Sequence, residues 1–108
     1  MPTVMERLLG MDERKRLPPL DGIRVVDMTQ VIAGPFCSTM LADMGAELVK
    51  IERAHIGDDT RHMGPYKGRK SEDQDYFFAN NRSRKSIALD LKDRRHQKIA
   101  QALVGEAN

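Results

Sequence analysis

The stretch DMTQVIAGPFCSTMLADMGAELVKIER, Asp27–Arg53, decides the fold of this chain. Its first apolar run ends in a polar turn, the residues Ala-Gly-Pro then open a helix-like segment, and a second apolar run follows Gly45. A strand, a loop, a helix of about ten residues and a second strand form a βαβ unit, in which the strands are parallel and the crossover is right-handed. This order of elements predicts an α/β fold.

Three short segments are typical of buried strands. GIRVVDM at residues 22–28 and AELVKIE at residues 46–52 are rich in β-branched and aliphatic residues. RKSIALDL at residues 84–91 alternates between polar and apolar residues and predicts a third strand. One face of that strand is predicted to carry three aliphatic residues: Ile87, Leu89 and Leu91.

Two helices are marked by residues that begin or end helices. Pro35 suits the first position of the helix between the first two strands, and Gly45 suits the position just after its end. Asp93 is predicted to cap a last helix that runs to Gly105. The first helix has one apolar face, which is expected to point into the core: Cys37, Met40, Leu41 and Met44. Cys37 is therefore interpreted as a core thiol rather than a nucleophile.

Residues 1–18 are predicted to form a flexible N-terminal extension, and residues 19–108 the folded part. The reason is LPPL at residues 17–20, whose consecutive prolines cannot continue a helix. Three strands and their helices leave a sheet edge and apolar surface uncovered. The folded part is therefore expected to be the incomplete N-terminal part of a larger domain.

The composition excludes several classes of protein. Of the 108 residues, 40% are hydrophobic and 31% charged, which is typical of a globular chain. No apolar run reaches the ~20 residues of a membrane helix, and no secretory signal pattern is present, so we expect a cytoplasmic protein with no membrane partner. The net charge of +2 gives no reason to expect a nucleic-acid partner. One cysteine and three scattered histidines predict no metal site.

Ligands of open α/β sheets bind beyond the carboxyl ends of the strands. TQVIAGP at residues 29–35 occupies this position after the first strand, but it matches neither phosphate-binding glycine motif, so it is either a tight turn or a binding loop. Glu52 and Arg53 end the second strand, where an acid suits a ribose hydroxyl and an arginine a phosphorylated ribose; the alternative is a surface Glu-Arg pair. The acids of GDDTR, Asp58 and Asp59, are expected to bond to their own backbone.

Three ordered segments resemble the class III CoA-transferases, also called the CaiB/BaiF family. They are residues 19–53, the GDDTR segment at residues 57–61, and NNRSRKSIALDLK at residues 80–92. The resemblance extends from about Pro19 to Val104. It implies a Rossmann-like CoA-binding domain with a parallel sheet, in a chain several times longer that forms an interlocked homodimer.

The resemblance also implies a binding site for coenzyme A. Ile32 and Ala33 would border the CoA, with Gly34 allowing close approach of the backbone, and Arg53 would meet the nucleotide end. Residues 89–92 would line the adenine and phosphate side. The complete set of implied binding residues is Ile32, Ala33, Gly34, Arg53, Leu89, Asp90, Leu91 and Lys92. Positive charge nearby is expected from three more residues: Arg82, Arg84 and Lys85.

The reaction implied by the resemblance transfers CoA from an acyl-CoA to a carboxylic acid, with an Asp carboxylate as nucleophile. That Asp is expected beyond Asn108, so no catalytic residue is assigned in this chain, and the chain alone is expected to be inactive. CoA is a substrate here, and no permanently bound cofactor is expected. Two alternatives remain open: an α-methylacyl-CoA racemase-type member of the family, and a non-catalytic module that binds CoA or a nucleotide.

Overall fold

The computed structural model describes residue 1 and residues 3–10, 17–63 and 75–108. Its elements, in chain order, are α1 Val4–Leu9, β1 Arg24–Asp27, α2 Ala33–Asp43, β2 Glu47–Arg53, a 3-10 helix Asp59–His62, α3 Asp75–Asn80, β3 Lys85–Leu89 and α4 Arg94–Gly105. No helix in these described ranges is long and apolar enough to cross a membrane.

The three strands form one parallel sheet in the order β1-β2-β3, which confirms the α/β prediction. The ladder between β1 and β2 ends at the pair Asp27–Lys50, whereas the ladder between β2 and β3 continues to Arg53–Leu89. The central strand β2 therefore extends three residues beyond its pairing with β1. This offset leaves space above the end of β1, at the carboxyl edge of the sheet.

The chain after α4 returns to the opposite edge of the sheet. The Asn108 amide donates to the Arg24 carbonyl at 3.1 Å, so residues beyond α4 reach the free edge of β1. A crossover that passes from the third strand to the far side of the first is the connection of Rossmann-like sheets.

Both predicted helices are confirmed, with the predicted signals at Gly45 and Asp93, but Pro35 occupies the third position of α2 rather than the first. Helix α2 begins at Ala33, two residues before Pro35, and is followed by Gly45, whose φ of 102° is in the left-handed region. The Asp93 carboxylate accepts a hydrogen bond from the Arg95 amide at 2.8 Å and caps α4. The third strand is shorter than predicted: it ends at Leu89, which is buried, and Leu91 is 41% exposed in the loop that follows.

The orientation predicted for α2 is wrong. The side chains that α2 buries are Pro35, Ser38 and Thr39, whereas Cys37 is exposed. The rest of the predicted inward stripe also lies outside the core: Met40 is 50% and Met44 39% exposed, and Leu41 is half-buried.

The reason is a buried ion pair beneath α2. The Arg84 guanidinium contacts the Asp27 carboxylate, and the side chains are 2% and 0% exposed. Arg84 also donates to the Ser38 hydroxyl at 2.7 Å and to the Pro35 carbonyl at 3.3 Å. The Ser38 hydroxyl donates to Asp27 at 2.6 Å. Because buried charges need such partners, the polar face of α2 turns inward.

Hydroxyl and amide groups around Asp27 determine the direction of its pKa shift. Burial alone would raise the pKa of this carboxyl group, but hydrogen bonds from Ser38 and Thr29 hold the pKa below its ordinary value. Arg84, which the resemblance placed near the CoA, is thus committed to the interior. Arg82 pairs instead with Asp43 on the exposed side of α2, at 2.6 Å.

Candidate functional site

A cleft of about 440 Å³ opens at the carboxyl ends of the strands. The buried side chains of Ile51 and Leu89, from β2 and β3, contribute to its lining. Gln30, from the loop after β1, lines the same cleft. The cleft therefore occupies the space that the offset between β1 and β2 leaves open, where ligands of parallel sheets bind.

The structure brings together five of the eight binding residues implied by the sequence. The cleft is lined by Arg53, Leu89, Asp90, Leu91 and Lys92. The other three residues, Ile32, Ala33 and Gly34, lie at the start of α2 and do not line it. Ile32 is 44% exposed and Ala33 is also exposed, so both remain open to a ligand that extends out of the cleft.

Gly34 has a structural reason to be glycine. A Cβ atom at this position would lie 2.2 Å from the Thr29 Cβ, so the loop after β1 packs directly against the first turn of α2. Gly34→Val would therefore disturb this packing whether or not a ligand approaches. Such a variant cannot separate a binding loop from a tight turn.

Arg53 stands at the end of β2 with a half-exposed guanidinium. It donates to the Gly57 carbonyl at 3.2 and 3.3 Å and contacts the Asp59 carboxylate, and the two side chains are 46% and 50% exposed. The Glu52–Arg53 pair, which the sequence offered as the alternative to a ribose site, is not formed, because Arg53 bonds to the following turn instead. Arg53 can meet an anion at the cleft if the anion replaces Asp59.

The loop after β3 is held against the first turns of α4. The backbone amide of Asp90 donates to His96 Nδ1 at 2.9 Å. The side-chain Nε2 of Gln97 donates to the Leu91 carbonyl at 2.8 Å. The Lys92 amide donates to the Asp90 carboxylate at 3.0 Å. Within the described part of the chain, no carboxylate forms an ion pair with the exposed Lys92 ammonium. Lys92 therefore offers positive charge to a ligand in the cleft.

The interpretation of Glu52 as a ribose ligand does not agree with its surroundings. Its carboxylate accepts two hydrogen bonds from Arg61, both at 2.8 Å, one from the Asp58 amide at 2.9 Å, and one from the Ser86 hydroxyl. Both oxygens are thus occupied within the protein. The hydrogen bonds from Arg61 outweigh burial and lower the pKa of Glu52 to about 2. Glu52 is a structural anion.

A second buried ion pair, Lys50–Asp58, was not predicted from the sequence. The Lys50 ammonium lies 2.9 Å from the Asp58 carboxylate, and the side chains are 1% and 0% exposed. Asp58 also accepts from the Thr60 amide at 2.9 Å, which confirms the expected backbone bond for Asp58, whereas Asp59 contacts the Arg53 guanidinium instead. Burial would raise the pKa of Asp58, but hydrogen bonds from Lys50 and Thr60 lower it. The signal in the sequence that could have indicated this pair is Lys50, a charged residue inside a segment predicted to be a buried strand.

The described residues contain no group of three His, Cys, Asp or Glu side chains that could hold a metal ion. His62 contacts the Ile56 carbonyl at 2.8 Å, His96 accepts from the Asp90 amide, and His55 is exposed. The cleft combines a half-exposed arginine, a lysine and apolar side chains, which suits an anionic ligand with an apolar part.

Comparison with known proteins identifies the family of this chain. The sequence model that describes CoA-transferase family III matches residues 20–108 of this chain. Succinyl-CoA:glutarate CoA-transferase from Mus musculus is 45% identical over 87 residues, which are 81% of this chain and 20% of the relative. Acetyl-CoA:oxalate CoA-transferase from Acetobacter aceti is 46% identical over 90 residues, 83% of this chain and 22% of the relative.

Solved structures give the same result. A CaiB/BaiF family protein from Brucella suis superposes with a TM-score of 0.74 at 38% identity, over 85% of this chain and 25% of that protein. The present chain thus spans about a fifth of the length of the curated relatives it matches. Because the family model covers more than half of the chain, and the fold agrees with that of the solved relative, the chain belongs to CoA-transferase family III.

Proposed function

We propose that the protein carrying this chain is an acyl-CoA:carboxylate CoA-transferase, to which the chain contributes part of the CoA site. The relatives named above transfer CoA between an acyl-CoA and glutarate or oxalate, according to their names. Both acceptors are dicarboxylic acids. An acyl-CoA donor and a dicarboxylic acid acceptor are therefore the first substrates to test.

The observation that carries the proposal is the position of Arg53 and Lys92 at one cleft beyond the carboxyl ends of β2 and β3. Coenzyme A carries phosphate groups next to an adenine ring, and so needs cations beside an apolar surface. The buried Ile51 and Leu89 supply apolar surface in the same cleft. In this proposal Asp90 and Leu91 line the adenine side, and Arg53 reads the 3′-phosphate.

The residues at the start of α2 contact the ligand outside this cleft. Ile32 and Ala33 are exposed, and no side chain caps the first turn of α2. The unbonded amides of a helix start favour a partial negative charge such as a carbonyl oxygen. Ile32, Ala33 and Gly34 are thus proposed to meet the arm of CoA that leads away from the nucleotide.

The chemistry is proposed to require residues outside this chain. The attacking Asp carboxylate would lie beyond Asn108 and form a covalent intermediate with the acyl group. The complete protein is proposed to be a cytoplasmic homodimer without a permanently bound cofactor. The 108 residues alone are proposed to be inactive.

Transfer of CoA from succinyl-CoA to glutarate and to oxalate, with the protein at its natural length, tests the function. Formation of a new acyl-CoA, followed by chromatography, supports a transferase. Inversion of a 2-methylacyl-CoA without transfer would identify a racemase-type member instead. Binding of CoA with neither reaction would identify a non-catalytic module, and absence of CoA binding would contradict the proposed site.

A further inference from the structure

We propose that Gln30 is a further ligand-binding residue, which hydrogen-bonds the nucleotide of CoA, and that the buried pair Lys50–Asp58 positions it. This inference rests on the proposed function, because it takes the cleft to be the nucleotide site. It singles out one residue of the loop at residues 29–35, which the sequence left open between a turn and a binding loop and which the resemblance did not name. It also gives the buried pair a role at the ligand site.

The first observation is where the pair bonds to the loop after β1. The Lys50 ammonium donates to the Thr29 carbonyl at 3.0 Å, and the Asp58 carboxylate accepts from the Val31 amide at 3.2 Å. These two bonds hold the peptide groups on either side of Gln30. Because both ends of the residue are anchored to a buried pair, its backbone is held at the edge of the cleft that it lines.

The second observation is the backbone of Val31, whose φ is 70°. A β-branched residue rarely adopts this left-handed conformation, and it persists only where the surroundings enforce it. The bond to Asp58 supplies that enforcement, and Asp58 is in turn held by the fully buried Lys50. The strained turn thus depends on the pair. Glycine would adopt the same backbone conformation without strain, so a turn that only connects β1 with α2 gives no reason for valine at this position.

The third observation is the chemistry of the Gln30 side chain. It is exposed, it lines the cleft, and no other described residue forms a hydrogen bond with its amide. A glutamine amide offers one donor and one acceptor in a plane, which matches the amino and ring nitrogens at the edge of adenine. Arg53 and Lys92 in the same cleft suit the phosphates of the same nucleotide. The geometry therefore favours the base as the partner of Gln30.

The proposed contact between Gln30 and the nucleotide is tested with Gln30→Ala in the protein at its natural length. Binding of CoA and of adenosine 3′,5′-bisphosphate is measured by calorimetric titration. Loss of one or two hydrogen bonds should weaken both ligands by roughly threefold to tenfold. The melting temperature without ligand should not change, because the side chain is exposed. Gln101→Ala, an exposed glutamine of α4 that does not line the cleft, is the matched control.

The outcomes separate the inference from the proposed function. If the unaltered protein binds neither ligand, the nucleotide site itself is wrong. If it binds both and Gln30→Ala changes neither affinity, only the role of Gln30 is overturned. A loss confined to CoA would place Gln30 against the arm of CoA, and would overturn its assignment to the nucleotide.

The proposed positioning role is tested by the double variant Lys50→Met/Asp58→Leu, which removes both charges and both of their bonds to the loop after β1. It should weaken binding of the bisphosphate by roughly threefold to tenfold when Gln30 is present, and by less than twofold when Gln30 is alanine. A general loss of structure would weaken binding equally in both backgrounds. Equal losses in the two backgrounds would therefore overturn the positioning role.

The substitution Val31→Gly tests whether relief of the backbone strain restores the lost affinity. Glycine adopts a φ of 70° without strain, so Val31→Gly should restore the turn when the pair is removed. In the double variant it should recover at least half of the lost affinity, and it also supplies a folded background if the double variant unfolds. No recovery of affinity in a folded triple variant would contradict the proposed link between the pair, the turn and Gln30.

Discussion

The ion pairs Asp27–Arg84 and Arg53–Asp59 differ in burial, and the difference separates a pair that stabilises the fold from one that is open to a ligand. In Asp27–Arg84, both side chains are at most 2% exposed. In Arg53–Asp59, at the cleft, they are 46% and 50% exposed. A buried pair stabilises only while both partners remain, because either charge alone would be uncompensated. An exposed pair contributes ~0–1 kcal/mol and can exchange one partner for another anion.

The two pairs lie at the ends of neighbouring strands. Asp27 closes β1 and organises the underside of α2, whereas Arg53 closes β2 and faces the cleft. The charged residues at the two strand ends thus serve two purposes: Asp27 stabilises the fold, and Arg53 is open to a ligand. The predictions below test whether Asp27–Arg84 carries stability and Arg53–Asp59 carries ligand recognition.

The largest effect is expected for Arg84→Met. The substitution leaves the Asp27 carboxylate buried without its cationic partner, which should lower the free energy of unfolding by about 3–5 kcal/mol. Arg82→Met is the matched control, because Arg82 pairs with Asp43 at the surface and should contribute ~0–1 kcal/mol. Urea denaturation of the protein at its natural length measures both. Similar losses for the two variants would remove the distinction between the pairs.

Acid should destabilise the protein through Glu52. Its folded-state pKa of about 2 lies below the ordinary 4.5, so the carboxylate stabilises the fold above pH 4.5. That contribution, up to about 3 kcal/mol, is lost as the pH falls from 4.5 towards 2. The free energy of unfolding, measured over this pH range, should fall less steeply in Glu52→Gln. An unchanged slope would show that other carboxyl groups cause the acid sensitivity.

Arg53→Ala should act on the ligand and not on the fold. The affinity for CoA should drop about tenfold, and that for dephospho-CoA by about twofold or less, because the guanidinium is proposed to read the 3′-phosphate. Arg24→Ala, an exposed arginine of β1 paired with Glu106, should change neither affinity. Calorimetric titration with both ligands measures the difference. Equal losses for the two ligands would reassign Arg53.

The smallest effect is expected for Asp59→Asn. Removing this charge frees the Arg53 guanidinium from its exposed partner, so the affinity for CoA should rise by roughly twofold to fivefold. The affinity for dephospho-CoA should stay the same. Asp43→Asn, which releases Arg82 at a site away from the cleft, is the control. A weaker affinity for CoA in Asp59→Asn would mean that the acid helps to orient Arg53.

The position of the cleft could be predicted because it follows from chain direction, whereas most of the binding residues were implied by the resemblance. Strand ends in a βαβ unit share one edge of the sheet, so residues 89–92 had to meet Arg53 there. The start of α2 was placed in the same site, but it does not line the cleft, and its Gly34 packs closely against Thr29.

The sequence by itself determined the local elements, and the motifs that indicate the family. Gly45 ends α2 and Asp93 caps α4 because left-handed backbone and capping carboxylates act within a few residues. Only the tertiary structure decided which face of α2 is buried, and which partner each charge takes. Arg84 meets Asp27 across 57 positions, and Lys50 meets the loop after β1 across 21. Such pairings depend on sheet register and desolvation, which no local pattern contains.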